Sequence, residues 1–345
     1  MSIALLNRLC NCINNSYRIP SCMAEIIEDF LVKRDKGYYC PYGDFYIDPL
    51  YPVNHAVVSH AHADHASPGH KHIYCTAATA AFMQVRYAKQ ALASYQCFEF
   101  KVDFHLNGVD LVFIPAGHIL GSAQILMTYK GVRYLYTGDY KLQADPTCEP
   151  IEMVEADVLI TETTFANPEV KHPNPETEIL KLDVASNIML GCYSLGKAQR
   201  LTALLNTYLP EKEVLVHHSM LAFHKIYDRY GNFPLRYELY NRKQMKGPEQ
   251  NKVYLIPPLT FNSYRRAKNV LRVFASGWAR LQASNDISLY LSDHVDWEDI
   301  LVFIEQVKPR AIWTLHGDGR QLHQYLAGSL EIRDIIEQTY SPDFC

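Results

Sequence analysis

The 345-residue sequence has no apolar run near the roughly 18 residues that a membrane-spanning helix needs. Segments such as Asp157-Val158-Leu159-Ile160 are brief, so no membrane association is expected. Its first 22 residues lack a basic stretch leading into a long apolar one, and no secretory signal is expected. There is no Cys-x-x-Cys pair. The nine cysteines are odd in number and scattered, which argues against a disulfide framework and predicts reduced thiols in a cytoplasmic setting. Internal repeats and low-complexity tracts are missing, which excludes solenoids and flexible linkers. With 48% hydrophobic and 20% charged residues, the chain is neither disordered nor coiled-coil. Its length exceeds one ordinary core and suits two domains.

Charge is distributed unevenly. Residues 175–285 carry 16 Lys/Arg against 8 Asp/Glu, while the remainder carries 17 against 29. An acidic body with a basic insert suits a polyanion lying across the insert while acidic residues elsewhere hold cations. A merely solvated charged face is the competing reading.

From 38 to 165 the pattern is short strands with polar turns: Phe45–Ile47, His55–Val58, Leu111–Ile114, Arg133–Tyr136 and Val158–Ile160. Helical periodicity covers 76–93, 176–190 and 197–208. Glu213–Val216 reads as a strand. Strands at Ile287–Leu291 and Ala311–Leu315 flank a helix near 296–307 with Asp296 as its N-cap. A β-rich layer that resumes after a long break predicts an inserted domain, bounded near Pro173 and Pro175 and near Ser284.

His60-Ala61-His62-Ala63-Asp64-His65 places four candidate metal ligands in six residues at the end of a strand. Alternation puts His60 and His62 on one side of the extended chain. Asp64 and His65 come one turn later. His118, Asp139 and His316 each follow a hydrophobic strand, where scaffolds place sites. Together they make two metal sites: His60, His62 and His118 for one ion, Asp64, His65 and His316 for the other, with Asp139 between. Imidazole and carboxylate at this density suit Zn²⁺, with Mn²⁺ or Fe²⁺ as alternatives. Two such ions generate hydroxide near neutral pH and offset transition-state charge in ester or phosphodiester hydrolysis. Asp48, before Pro49, reads either as a carboxylate orienting a ligand histidine or as a turn residue.

Gly191-Cys-Tyr-Ser-Leu-Gly196-Lys197-Ala198 nearly spells a phosphate-binding loop. Ala198 lacks the Mg²⁺-binding hydroxyl, and no strand is evident before Gly191, so an ATPase is not expected.

The His60-Ala-His62-Ala-Asp64-His65, His118, Asp139 and His316 series resembles the metallo-β-lactamase motifs in order and spacing. That fold is an α/β, αββα sandwich with a di-metal site at one edge. Glu162 in Thr161-Glu162-Thr163-Thr164 resembles motif A of the β-CASP nucleases, His294 in Ser292-Asp293-His294 their motif B, and His316 their motif C. Tyr193-Ser194-Leu195-Gly196-Lys197-Ala198-Gln199 resembles the helix that opens their inserted cap. Lys36–Pro41, Gly43–Pro49, Gly138–Lys141 and Asp145–Pro150 are most similar to the bacterial ligase-associated DNA exonucleases.

The resemblance, from about residue 30 to 330, implies a core at 23–174 and 286–345 with a β-CASP cap at 175–285. Residues 1–22 do not resemble the family and read as an extension, with Met23 as an alternative start. Implied roles are metal-assisted catalysis by Asp64, general acid for His294, and orientation by Glu162 and Asp48. Ser194 and Lys197 at a helix start, and the basic run Arg265, Arg266, Lys268 and Arg272 beside Tyr264, would meet substrate phosphates. The expected activity is DNA exonucleolysis in repair. An ATP-dependent DNA ligase and a helicase are implied as working partners by the resemblance alone. Three other readings compete: an RNA-processing nuclease, a non-catalytic nucleic-acid-binding scaffold, and a small-substrate hydrolase.

Overall fold

A computed structural model describes residues 24–88, 93–241, 243, 250–264 and 268–338. The expected extension at 1–22 and the alternative start Met23 lie outside them, as do Arg265 and Arg266.

Three sheets organise the chain. The first has six strands in sequence order, from Val32–Arg34 through Gly37–Cys40, Phe45–Ile47, His55–Val57 and His72–Cys75 to Ser94–Cys97. The second has seven. Its order across the sheet is Glu331–Asp334, Ala311–Gly317, Val158–Thr163, Val132–Tyr136, Ala123–Tyr129, Val109–Pro115 and Asp103–Leu106.

Alternation decides how these two sheets pack. Phe45, Ile47 and Val57 of the first join Leu111, Phe113, Ile125, Tyr134, Ile160 and Trp313 of the second in one buried cluster. The opposite face of the first sheet, with Ala56, Val58 and Ile73, covers Ala80 and Met83 of the Ala77–Arg86 helix. The opposite face of the second, with Leu135, Leu159 and Ile312, covers Ile300, Phe303 and Val307 of the Trp297–Val307 helix. The layers therefore run helix, sheet, sheet, helix, as in an αββα sandwich. Asp296 caps that last helix by accepting from the Asp299 amide.

The third sheet lies wholly between residues 188 and 274 and is parallel throughout, in the order Glu238–Leu239, Glu213–Val216, Lys252–Ile256, Ile188–Gly191, Leu271–Phe274. Its Lys197–Tyr208 helix packs Ala198, Leu201 and Leu205 on one face. Leu195 and Tyr227 of this unit pack against Ile119 and Phe82 of the sandwich, which joins the two parts.

Four sequence expectations change. The helix expected over 176–190 stops at Leu180, and Ile188–Gly191 is a central strand. A parallel strand buried on both faces shows no alternation to identify it. A strand therefore does end at Gly191, directly before the loop and the Lys197–Tyr208 helix. Ile287–Leu291 is not a strand; only Leu289 bridges to Ala275. The Gln282 side chain meets both backbone groups of Leu289, and Glu178 accepts from the Tyr290 amide, so side chains supplement two long backbone bonds to Ser276. Finally, His316 lies within the last turnward residues of its strand, which runs on to Gly317.

Candidate metal centre

The strands ending at Pro115, Tyr136, Thr163 and Gly317 all run in the same direction in the second sheet. Their C-terminal ends therefore deliver His118, Asp139, Glu162 and His316 to one edge. The loop after His55–Val57 brings the His60–His65 segment to the same edge. His60, His62, His118 and Asp139 each place a ligand atom within 4.8 Å of the others.

The tautomers can be deduced from the outer partners. Ser59 gives its hydroxyl proton to Asp48, so its oxygen accepts from His60 Nδ1 at 3.0 Å. His118 Nδ1 lies 2.7 Å from the Asp293 carbonyl, which can only accept. His62 Nε2 lies 3.2 Å from the Leu195 carbonyl, again an acceptor only. Each ring therefore turns a lone pair inward. His62 Nδ1 is 3.2 Å from His60 Nε2 and 3.0 Å from His118 Nε2, with no hydrogen left to place between them. Three converging lone pairs beside a carboxylate oxygen 3.5 Å from His60 and 3.7 Å from His118 repel one another unless a cation sits among them. The residues present thus fit a divalent metal ion. Burial, first among the causes, holds the pKa values of His60 and His118 well below the usual histidine range and lowers that of His62. Neutral imidazole is the ligating form.

The second expected set is looser. His65 Nε2 is 3.5 Å from Asp139 and 4.0 Å from Asp64. The Asp64 side chain is 78% exposed and stands at the cavity wall rather than inside the histidine group. The exposed His316 ring lies 5.3 Å from that of His65 and edge-on to Tyr38. His316 has a positive φ of 47°, and Gly317 follows at 105°, where a β-carbon would lie 2.4 Å from the Thr163 carbonyl oxygen. Asp48 is buried at φ 44° and accepts from the Ser59 amide, the Ser59 hydroxyl and Tyr136. Its Oδ2 is 2.8 Å from His65 Nδ1, so it turns His65 Nε2 toward Asp139.

Glu162 is fully buried. It accepts from the Tyr140 amide and the Thr164 hydroxyl and meets His294 Nδ1 at 3.0 Å. Burial depresses the His294 pKa, but the Glu162 and Asp139 carboxylates outweigh it and hold the value up at about 9. Asp139, Glu162 and His294 form a second close donor group.

The substrate candidates divide. Ser194 and Lys197 both line the cavity of about 560 Å³ that also reaches His62, His118, Asp139 and His294. Lys197 does not offer a free ammonium. It is buried, donates to the Leu291 carbonyl at 2.6 Å and pairs with Asp293 at 2.9 Å. Burial lowers its pKa to about 8. The Gly196 amide at the helix start already donates to Gln199. Lys197 therefore enters the cavity wall already paired within an internal network. Arg272 is held inward, donating to the Phe261 carbonyl and packing on that ring. Sequence reasoning missed Phe165 and Trp278, which line the cavity beside His294. It also missed the Leu195 carbonyl. Gly196, at φ 80°, lets that loop approach, since a β-carbon would lie 2.3 Å from Ile119 and 3.5 Å from His62.

No protein-family model matches the chain. It is 33% identical over 317 residues to a probable DNA ligase of Opitutus terrae, covering 86% of this chain and 30% of that protein. It is 30% identical over 186 residues to an RNase J-like protein of Methanocaldococcus jannaschii, covering 46% and 44%. To the DNA cross-link repair protein SNM1 of Arabidopsis thaliana it is 28% identical over 157 residues, covering 41% and 32%. The chain spans less than half the length of these relatives. A crystal structure of a protein of unknown function from Enterococcus faecalis V583 shares the fold, with TM-score 0.56 and 14% identity over 84% of this chain and 79% of that one. The chain belongs to the β-CASP family of the metallo-β-lactamase fold.

Proposed function

We propose that this protein is a metal-dependent exonuclease that hydrolyses DNA phosphodiester bonds in repair, with residues 175–285 as its β-CASP cap. The observation that carries the reading is the set of inward lone pairs of His60, His62 and His118 beside Asp139, opening on the cavity that holds His294. His60, His62, His118 and Asp139 would hold one divalent ion, and Asp64, His65, His316 and Asp139 a second, with Zn²⁺ favoured by the imidazole-rich donors. Such ions supply Lewis acidity and a readily deprotonated water at neutral pH.

The chain's own residues do the rest. Asp48 fixes the His65 ring. Glu162 accepts from His294 Nδ1 and leaves Nε2 to present a proton to the leaving oxygen. DNA is favoured over RNA by extent: the match to the probable DNA ligase covers 86% of this chain, and that to the RNase J-like protein 46%. A ligase acting on the same ends would fit as a partner.

The test is a time course on end-labelled single-stranded DNA and RNA of one sequence, with Zn²⁺ or Mn²⁺, using Asp139→Asn as the control. Stepwise shortening of DNA alone, abolished in the variant, supports the reading. Cutting of RNA alone would transfer it to an RNA-processing nuclease. His294→Ala should retain metal and lose turnover; loss of metal instead would remove the acid role.

A further inference from the structure

The cavity has an aromatic side that the metal chemistry does not use. Phe165 follows the strand bearing Glu162, and its ring lies 6.2 Å from His294 and 4.5 Å from Trp278. Trp278 is 40% exposed and lines the cavity, with the buried Phe165 packed behind it. Arg280 packs on the indole at 5.0 Å. The shelf beneath is rigid. The Trp278 amide donates to Ser276, and a β-carbon on Gly277 would lie 2.9 Å from Ser292 and 3.2 Å from Phe165. The part of the indole left open to water beside the reaction centre is apolar area that a ligand can cover. Its neighbours in the cavity, His118 and Asp139, are the groups expected to face a scissile phosphate.

We infer that Trp278, backed by the buried Phe165, forms a stacking wall for the nucleobase at the end being cut, so that the substrate is an unpaired, single-stranded terminus read without regard to sequence. Every base has a π-face, and aromatic stacking contributes about 1–3 kcal/mol per base. A paired terminal base has only its outer face free and is tied to its partner strand, whereas an unpaired one can turn a face to the wall. The inference rests on the nuclease reading above and adds to it the form of the substrate.

Two measurements keep the inference and that reading apart. The first compares single-stranded DNA with a normal or an abasic terminal nucleotide, placed at either end in separate oligonucleotides. Wild type should slow about tenfold when the attacked end is abasic. Trp278→Ala should process both at the slower rate, and Trp278→Phe should restore the difference. Equal wild-type rates on the two ends, or discrimination surviving in Trp278→Ala, overturns the inference. The second uses terminal 2-aminopurine DNA bound to Asp139→Asn. Stacking should quench its fluorescence, and Trp278→Ala in that background should relieve the quenching. Quenching that Trp278→Ala relieves, in a protein that cuts nothing, would retain the wall and remove the nuclease. Cutting with neither quenching nor discrimination would do the reverse.

Discussion

Two groups of buried polar side chains meet at Asp293, and they are built on opposite principles. In front, His60, His62 and His118 turn unshared lone pairs toward one another. Behind, Lys141, Lys197 and Arg200 surround the carboxylates of Asp145 and Asp293, with contacts of 2.6 Å for Lys141–Asp145 and 2.9 Å for both Lys197 and Arg200 to Asp293. The carbonyls of His118, Leu291 and Ser292 accept further protons from the same cations. The rear network pairs its own charges, with only Arg200 Nε left without a hydrogen bond, 3.6 Å from Asp145. The front group is incomplete without a cation from outside, and this difference separates a structural cluster from a binding site more clearly than burial does, since both are buried. The two are also coupled, because the Asp293 backbone orients His118 while its side chain anchors Lys197 and Arg200.

The largest expected effect is on the front group. His118→Ala should reduce the proposed nuclease turnover by more than about a hundredfold and lower bound metal. The urea midpoint of the chelated protein should barely move, because the ring serves a ligand rather than the fold. A chelated variant that loses as much stability as one lacking Asp293 would break the comparison.

The rear network predicts the opposite pattern. Asp293→Ala leaves three buried cations with one carboxylate and should cost about 3–5 kcal/mol in urea unfolding, with or without metal. A loss below about 1 kcal/mol would mean that water replaces the carboxylate and that the cluster is not self-contained.

How much of this could be read from the residues depends on distance along the chain. The front group was legible because His60 and His62 fall in one strand-end segment and His118 and Asp139 follow strands in recognisable contexts. A β-rich core broken by an insert was legible from the short strands and their polar turns, and the αββα sandwich from the resemblance carried by the His60–His65, His118, Asp139 and His316 motifs. Asp64 shows the limit: its place in the motif is clear, yet its carboxylate faces solvent, since the turn after His62 decides the direction. The rear network was invisible. Lys141 and Asp293 are joined only by the fold, and Lys197 read as an anion-binding residue because its helix position is visible in sequence and its burial is not.

The smallest effect sharpens the comparison through a third kind of histidine, neutral and buried but completed by the protein alone. Thr202 donates its hydroxyl proton to the Ala198 carbonyl, so its oxygen accepts from His224 Nε2, and Nδ1 lies 3.0 Å from the Gln199 amide nitrogen and 3.1 Å from the Met220 carbonyl. Gln199 in turn accepts from the Gly196 amide and donates to the Ser194 carbonyl, holding the loop whose Leu195 carbonyl orients His62. Burial lowers the His224 pKa to about 4. The unfolded chain, with histidine near 6.5, takes the proton first. The stabilisation is therefore complete above about pH 6.5 and is lost as pH falls toward 4, by at most about 3 kcal/mol. His70 and His172, also lowered to about 4 by burial, act in the same direction. The urea midpoint of the chelated protein should fall between pH 7.5 and pH 5, and His224→Gln should reduce that fall without abolishing it. An unchanged pH dependence in the variant would mean that His224 already shares its site with a proton. Its link through Gln199 to the metal-facing loop would then not depend on the neutral ring.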